Sequence, residues 1–174
     1  MKSKTVRYGF ILAIISILVQ ILVYATNVEW MASVTYSLLS FLLSLILIIY
    51  FGLQLRKARG GFASFKEMFS DIFIMLLVAG VIGILFNYVL FNFIDPQLAE
   101  TLKQAVIKNS QAMFSKIGMS DSEIDTALAE IEKQDMSVTL VKSIQQLGMV
   151  VTFSAIGAVI LAAILKKKPE EAFQ

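Results

Sequence analysis

The stretch "IFIMLLVAGVIGILFNYVLFNF", Ile72–Phe93, decides the fold class of this chain. It contains no charged side chain, and it is closed by Asp95 and Pro96. A helix needs about 20 predominantly apolar residues to cross a bilayer core of about 30 Å. The run meets that length, and it is too long and too apolar for a buried helix of an ordinary globular domain. It therefore predicts a membrane-spanning helix.

Three more apolar runs satisfy the same criterion, so the sequence predicts spans at 8–25, 31–53, 72–93 and 144–165. The composition agrees, with 57% hydrophobic and 16% charged residues. In a typical soluble domain about half of the residues are apolar and about a quarter are charged. The first run follows basic residues as a signal peptide does, but its length and the lack of an A-x-A cleavage site favour a retained helix. The predicted fold class is all-α: a four-helix transmembrane bundle that forms a single integral membrane domain over 1–174.

Basic residues predict the orientation of the bundle. After four crossings, most of them lie beside the same end, and Lys and Arg favour the cytoplasmic side of a membrane. We therefore expect a multi-pass inner-membrane protein with cytoplasmic N- and C-termini, and an extracytoplasmic segment at 96–137. The basic residues at the predicted cytoplasmic end are Lys2, Lys4, Arg7, Arg56, Lys57, Arg59, Lys66, Lys166, Lys167 and Lys168.

The segment 96–137 carries two helical patterns. Pro96 cannot continue a helix but suits the first turn of a new one, and Gly118 suits a helix end. Ser120 and Glu123 then form a capping box before a second helix. The pattern predicts an amphipathic helical hairpin between spans three and four. Its acids have EF-hand spacing, but Thr126 stands where the calcium loop needs glycine, so we interpret them as the solvated face of a helix.

Several chemistries are excluded by composition. The chain has no cysteine and no histidine. This excludes disulfides, thiol nucleophiles, metal sites with cysteine or histidine ligands, and histidine-based catalysis. The net charge of +2 is small, and the charges are segregated along the chain rather than clustered on one helix face, so no nucleic-acid partner is expected. We predict no catalytic, cofactor or metal site and no enzymatic activity. An enzyme alternative would depend on Asp71 or Asp95.

Small and polar residues recur within the first two spans. Their spacing of about 3.5 residues predicts that these spans pack closely along a polar seam; a solute path is the alternative. Gln20 and Ser37 are candidates in either interpretation. Asn87 and Asn92 are expected to bond to neighbouring backbones or to lipid head groups. The two sets are Gly9, Ala13, Ser16, Gln20 and Ser33, Ser37, Ser40, Ser44.

The loop before the third span carries a capping box, Ser64 with Glu67, that starts the third helix. Phe65 and Phe69 then lie on one aromatic face, away from Lys66. The arrangement predicts an entry turn that lies along the membrane interface before the helix crosses. A protein-docking surface is the alternative.

The motifs "GGFASFKEMFSDIF" (60–73) and "FNYVLFNFIDP" (86–96) are similar to those of domain of unknown function 4199, a family of small four-span membrane proteins found chiefly in Bacteroidetes. The resemblance covers essentially the whole chain. It implies a bacterial inner membrane and an accessory role in envelope glycan synthesis, but no activity. The residues that occupy the family's motif positions are Phe65, Lys66, Phe69, Asn87, Asn92, Asp95 and Pro96.

Taken together, the sequence predicts a non-enzymatic accessory or scaffold protein. Its expected partners are the lipid bilayer and either another membrane protein or a second copy of this chain. A small oligomeric transporter or channel is the first alternative, and a membrane enzyme that acts on a lipid-linked substrate is the second.

Overall fold

The computed structural model describes residues 2–167, apart from the side chain of Lys2. Lys168 and the remaining C-terminal tail, predicted to be cytoplasmic, lie outside the described residues. Every long element is helical, and the single strand-like feature in 2–167 is an antiparallel bridge between Ala63 and Lys167. The all-α fold class is therefore confirmed. The helices are α1 (Lys2–Thr26), α2 (Val28–Met31), α3 (Val34–Ala58), α4 (Phe65–Val89), α5 (Leu98–Lys116), α6 (Asp121–Lys133) and α7 (Leu140–Leu165), and a π-helical turn (Leu90–Ile94) continues α4.

Four of these elements are long and apolar enough to cross a bilayer: Ser3–Thr26, Val34–Ala58, Phe65–Ile94 and Leu140–Leu165. The chain is thus a multi-pass membrane protein. The second spanning helix begins three residues later than predicted, because two side-chain caps divide the connection. Asn27 accepts a hydrogen bond from the Trp30 amide to start α2, and Ser33 accepts one from the Tyr36 amide to start α3.

The third span, α4, is the centre of the bundle and packs between α1 and α7. Small residues allow the close approach. A Cβ atom on Gly9 would lie 2.8 Å from Val78 Cβ and 2.9 Å from the Met75 carbonyl oxygen, and one on Gly80 would clash with Val150. The core along α4 is apolar and fully buried; it includes Met68, Ile72, Met75, Ala158 and Ala162.

The buried residues of α3 all lie in the half that ends at the basic loop. Its buried residues are Ile48, Phe51, Gly52 and Leu55. Nearer its start, large apolar side chains are exposed, which suits contact with lipid tails. They are Val34, Leu38, Leu39, Phe41 and Leu42.

The predicted polar seam does not run along the whole of the first two spans, although Ser16 and Ser44 line the same cleft. Gln20 bonds to Asn87 in α4, while Ser37 is exposed and donates to the Ser33 carbonyl in its own helix. Gly9 of α1 lies against α4. A short connection brings two helices together at one end only, and here α2 occupies the connection between α1 and α3. The order of the helices in the sequence therefore did not determine which of them pack together.

We call the end of the bundle with the loop between α3 and α4 the basic end, and the opposite end the far end. At the far end, α5 and α6 pack on each other and α5 lies against α2, burying Leu98, Ala105 and Ile124. Gly118 adopts a positive φ of 81° just after α5, as expected for a helix stop.

Candidate functional site

A buried polar cluster ties three elements together at the basic end. Asp71 in α4 accepts hydrogen bonds on one carboxylate oxygen from Arg59 Nη2 at 2.7 Å and Nε at 3.2 Å, and on the other from Thr5 Oγ1 at 2.9 Å. The Asp71 side chain is 5% exposed. Both oxygens are engaged, so the group serves as a link between α1, the loop and α4.

The loop geometry explains why Arg59 reaches Asp71. Gly60 and Gly61 adopt φ values of 84° and 91°, a left-handed conformation that favours glycine, and they turn the chain back towards α4. The predicted capping box follows: Ser64 and Glu67 bond reciprocally. Glu67 also binds Arg59 Nη1 at 3.0 Å, so one guanidinium bridges two acids on successive turns of α4.

The far end has a second set of contacts between helices. Gln20 Nε2 in α1 donates to Asn87 Oδ1 in α4 at 2.8 Å, and the Tyr24 hydroxyl donates to Asp95 Oδ2 at 3.1 Å. Asp95 also accepts a hydrogen bond from the Gln97 amide across Pro96. These pairs hold α1 against α4 and fix the chain as it leaves the π-helical turn.

Asn92 and Lys142 anchor the chain segment that enters α7. Asn92 Nδ2 donates to the carbonyls of Tyr88 at 2.9 Å and Val138 at 2.7 Å, a pairing with neighbouring backbone. Lys142 Nζ lies 2.7 Å from Asp135 Oδ2. Hydrogen bonds from Lys142, and then from Ser137, hold the pKa of the Asp135 carboxyl well below its usual range.

The remaining predicted residues lie apart from these clusters. Phe65 and Phe69 stack with ring centroids 6.2 Å apart, and Lys66 is exposed. This aromatic turn opens α4 directly and runs on into the span without a break. Pro96 is exposed at the far end, and Ser37 faces outward from α3.

A cleft between the four spanning helices has a volume of about 630 Å³. Ligand pockets are typically of this size, mostly apolar with a few polar groups. Gln146 and Ser154 line it from α7, about 9 and 21 Å along that helix at 1.5 Å per residue. The other polar lining residues are Ser16 and Ser44. The cleft can therefore hold an apolar or weakly polar molecule at membrane depth.

The acidic run at Asp121–Glu132 is helical in this structure. It forms α6, with Ser120 as its cap, so its acids lie on the exposed side of a helix rather than along a calcium-binding loop. Hydrogen bonds from the Ser120 side chain and then its backbone lower the pKa of the Glu123 carboxyl. This agrees with the interpretation as a capped helix.

A family model described as "Protein of unknown function (DUF4199)" matches residues 7–167. The chain belongs to this family. No curated protein and no solved structure matches it significantly. The resemblance found from the sequence motifs is thereby confirmed.

Sequence reasoning missed the partner residues of this DUF4199 protein. From the sequence, Arg59 is predicted only as a charge that orients the chain, and no bonding partner is predicted for Thr5 or Tyr24. One signal was present: an arginine directly before Gly60-Gly61, followed by two acids one helical turn apart, favours a turn that brings opposite charges together. Neither Thr5 nor Tyr24 has such a local signal, because each pairs with a residue far away in sequence.

Proposed function

We propose that this protein is a non-enzymatic accessory or scaffold protein of the bacterial inner membrane, with both termini cytoplasmic. In this proposal residues 96–137, which we call the platform, are extracytoplasmic and dock a membrane-protein partner. The observation that carries the proposal is that the platform is fastened to the bundle at both ends and in its middle, while the acidic face of α6 stays exposed.

The fastening involves three contacts. Tyr24 holds Asp95, the residue just before the platform, and Lys142 holds Asp135 near its end. Between them, Lys108 in α5 lies 2.8 Å from Glu29 in α2. A surface fixed in this way loses little conformational freedom on binding, which favours affinity.

The exposed face of α6 indicates the kind of partner. Its acids are exposed, and Lys133 at its end is paired with Glu130. A negative surface steers and orients a positive one, so the proposed partner is a membrane protein with a basic extracytoplasmic surface. The family resemblance directs the search to the envelope glycan machinery. The exposed acids are Asp121, Glu123, Asp125, Glu130 and Glu132.

The engagement of Asp71 and Asp95 supports a non-enzymatic role. These carboxylates carry the enzyme alternative, and both hold other parts of the fold together. A general acid or base must reach a substrate proton within hydrogen-bond distance, and these two groups are occupied by Thr5, Arg59 and Tyr24.

Site-specific photo-crosslinking in cells tests the proposal. A crosslinker at Ser122, on the exposed side of α6, should give a discrete adduct with one membrane protein. The adduct should be lost in Asp125→Lys/Glu132→Lys and kept in Lys116→Glu, which changes charge elsewhere on the platform. A crosslinker at Ser64, at the basic end, is the position control. Absence of an adduct at Ser122, or the same adduct at both positions, would reject the platform as a docking surface.

The cleft supports a second candidate, a small oligomeric transporter or channel. The feature that favours a transporter is that hydroxyl and amide groups line the cleft at membrane depth. Reconstituted protein would then pass small neutral solutes, and Ser44→Leu or Ser154→Leu would stop this flux, while Ser37→Leu on the exposed side of α3 would not. Flux that is unchanged in all three variants would remove the cleft as a path.

A further inference from the structure

The basic end has a pocket separate from the buried cluster and from the central cleft. Its volume is about 410 Å³, and it lies between the end of α3, the glycine turn and the chain just after α7. The residues that line it are Leu53, Gln54, Arg56, Lys57, Gly61 and Lys167.

The pocket is lined by three cations and by no acid. None of Arg56, Lys57 and Lys167 forms an ion pair within residues 2–167. The acids Glu67 and Asp71 at this end are bound to Arg59 instead. The C-termini of α3 and α7 each contribute about half a negative charge, which offsets only part of three full positive charges. The pocket is therefore suited to an anion.

Two of the cations are held in place by the fold. Arg56 Nη1 donates to the Leu165 carbonyl at 2.9 Å, which leaves most of its five donors free of protein partners within 2–167. The backbone of Lys167 is paired with Ala63 in both directions at 2.9 Å, and its Nζ lies 5.9 Å from the centre of the Phe62 ring, within the range of a cation–π contact. The site is thus largely formed before any ligand binds.

An exposed apolar stripe leads into the pocket. Ile46, Tyr50 and Leu53 are exposed by 63%, 53% and 37%, and their spacing of four and three residues places them on one face of α3 with Lys57. An acyl chain can follow this stripe while its phosphate meets the cations. A free phosphate would use the cations alone.

We propose that this pocket binds the phosphate headgroup of an anionic membrane lipid, with one acyl chain along Ile46, Tyr50 and Leu53. Basic pockets between spanning helices recognise such headgroups. This inference goes beyond the proposed docking function, since it concerns the opposite end of the molecule and a lipid rather than a protein.

Native mass spectrometry of the full chain, with equimolar phosphatidylglycerol and phosphatidylcholine, tests the site. The protein should retain phosphatidylglycerol preferentially. Lys57→Gln/Lys167→Gln should lower this affinity roughly thirtyfold. Each lysine near an anionic headgroup contributes about 1 kcal/mol, and about 1.4 kcal/mol corresponds to a tenfold change in affinity. Lys4→Gln/Lys66→Gln removes the same charge at the same end without touching the pocket, and should keep the preference. Arg56 is left unchanged because it supports Leu165.

Each other outcome would overturn the inference. An equal loss in both double variants would mean a diffuse positive field rather than a site. Displacement of the lipid by inorganic phosphate at the same concentration would mean that the apolar stripe contributes nothing. Glu170 and Glu171 lie outside the described residues; if lipid binds only in Glu170→Gln/Glu171→Gln, the cations serve the chain's own tail. Unfolding temperatures measured without lipid check that both double variants fold.

Discussion

The guanidinium of Arg59 spans two acids of α4, with Nη2 2.7 Å from Asp71 and Nη1 3.0 Å from Glu67. Asp71 is at the same time bonded to Thr5 near the start of α1. Arg59 therefore joins the loop after the second span to the third span, and Asp71 joins the third span to the first. The cluster lies at the basic end, where the chain must leave and re-enter the bundle.

We expect Arg59→Ala to reduce the free energy of unfolding by about 3 kcal/mol, because it leaves the buried Asp71 carboxylate without its counter-charge. Lys57→Ala, an exposed neighbour, should have little effect. Unfolding in detergent measures both. Adding Asp71→Asn to Arg59→Ala should recover part of the loss, since the unpaired charge is removed. A loss in the double variant equal to that of Arg59→Ala would contradict a role for charge.

Close packing of α1 on α4 predicts a contrast between two glycines. Gly9→Ala should destabilise the protein by about 1–3 kcal/mol, because the added methyl would meet the backbone oxygen of Met75 and Cβ of Val78. Gly83→Ala meets nothing within 4 Å and should be neutral or slightly stabilising in a helix. Unfolding temperatures of the two variants provide the comparison. Equal effects would mean that α1 does not approach α4 as described.

The Gln20–Asn87 bond should appear as a coupling energy. Hydrogen bonds between side chains of spanning helices average about 0.6 kcal/mol and reach about 1.7 kcal/mol. A double-mutant cycle with Gln20→Leu and Asn87→Leu should give a value in this range. The cycle that pairs Gln20→Leu with Asn92→Leu is the control and should give none, because Asn92 bonds to Val138 instead. Coupling of the same size in both cycles would argue against a specific bond.

Acid should weaken the attachment of the platform to α7. The pKa of Asp135 is lowered from its ordinary value of 3.8 by its bonds to Lys142 and Ser137, so the unfolded segment binds a proton more readily than the folded one. The stabilisation is complete above that ordinary value and is lost as the pH falls through the lower pKa of the folded state. Hydrogen exchange around 135–142 should differ between the wild type and Asp135→Asn at neutral pH and converge in acid.

Glu132→Gln is the control for this measurement, since Glu132 is exposed and outside the ion pairs described in 2–167. Its exchange should follow the wild type at every pH. A difference between wild type and Asp135→Asn that persists unchanged to low pH would show that the charged pair does not hold the segment.

The sequence predicted the helices well because their determinants are local. Apolar length identified the four long helices, and the capping boxes at Ser64 and Ser120 and the stop at Gly118 all occur where predicted. These features depend on residues a few positions apart, so their physics can be read from a single segment.

The sequence did not predict which helices pack together or which polar side chains bond between them. Ser37 carried the same spacing as Gln20, yet it faces outward, because a periodic stripe of small residues does not specify which helix it meets. Thr5–Asp71, Gln20–Asn87 and Tyr24–Asp95 join positions 66, 67 and 71 residues apart. Such pairs depend on how α1 and α4 are placed by the whole bundle.

Single-cysteine labelling tests the central claim most directly, since the chain has no cysteine of its own. The claim is that four helices cross the bilayer and leave the basic end and the platform on opposite sides. In intact spheroplasts, a membrane-impermeant maleimide should modify Ser122→Cys in α6 and should modify Lys57→Cys only after lysis. Modification of both positions before lysis, or of neither, would contradict the account.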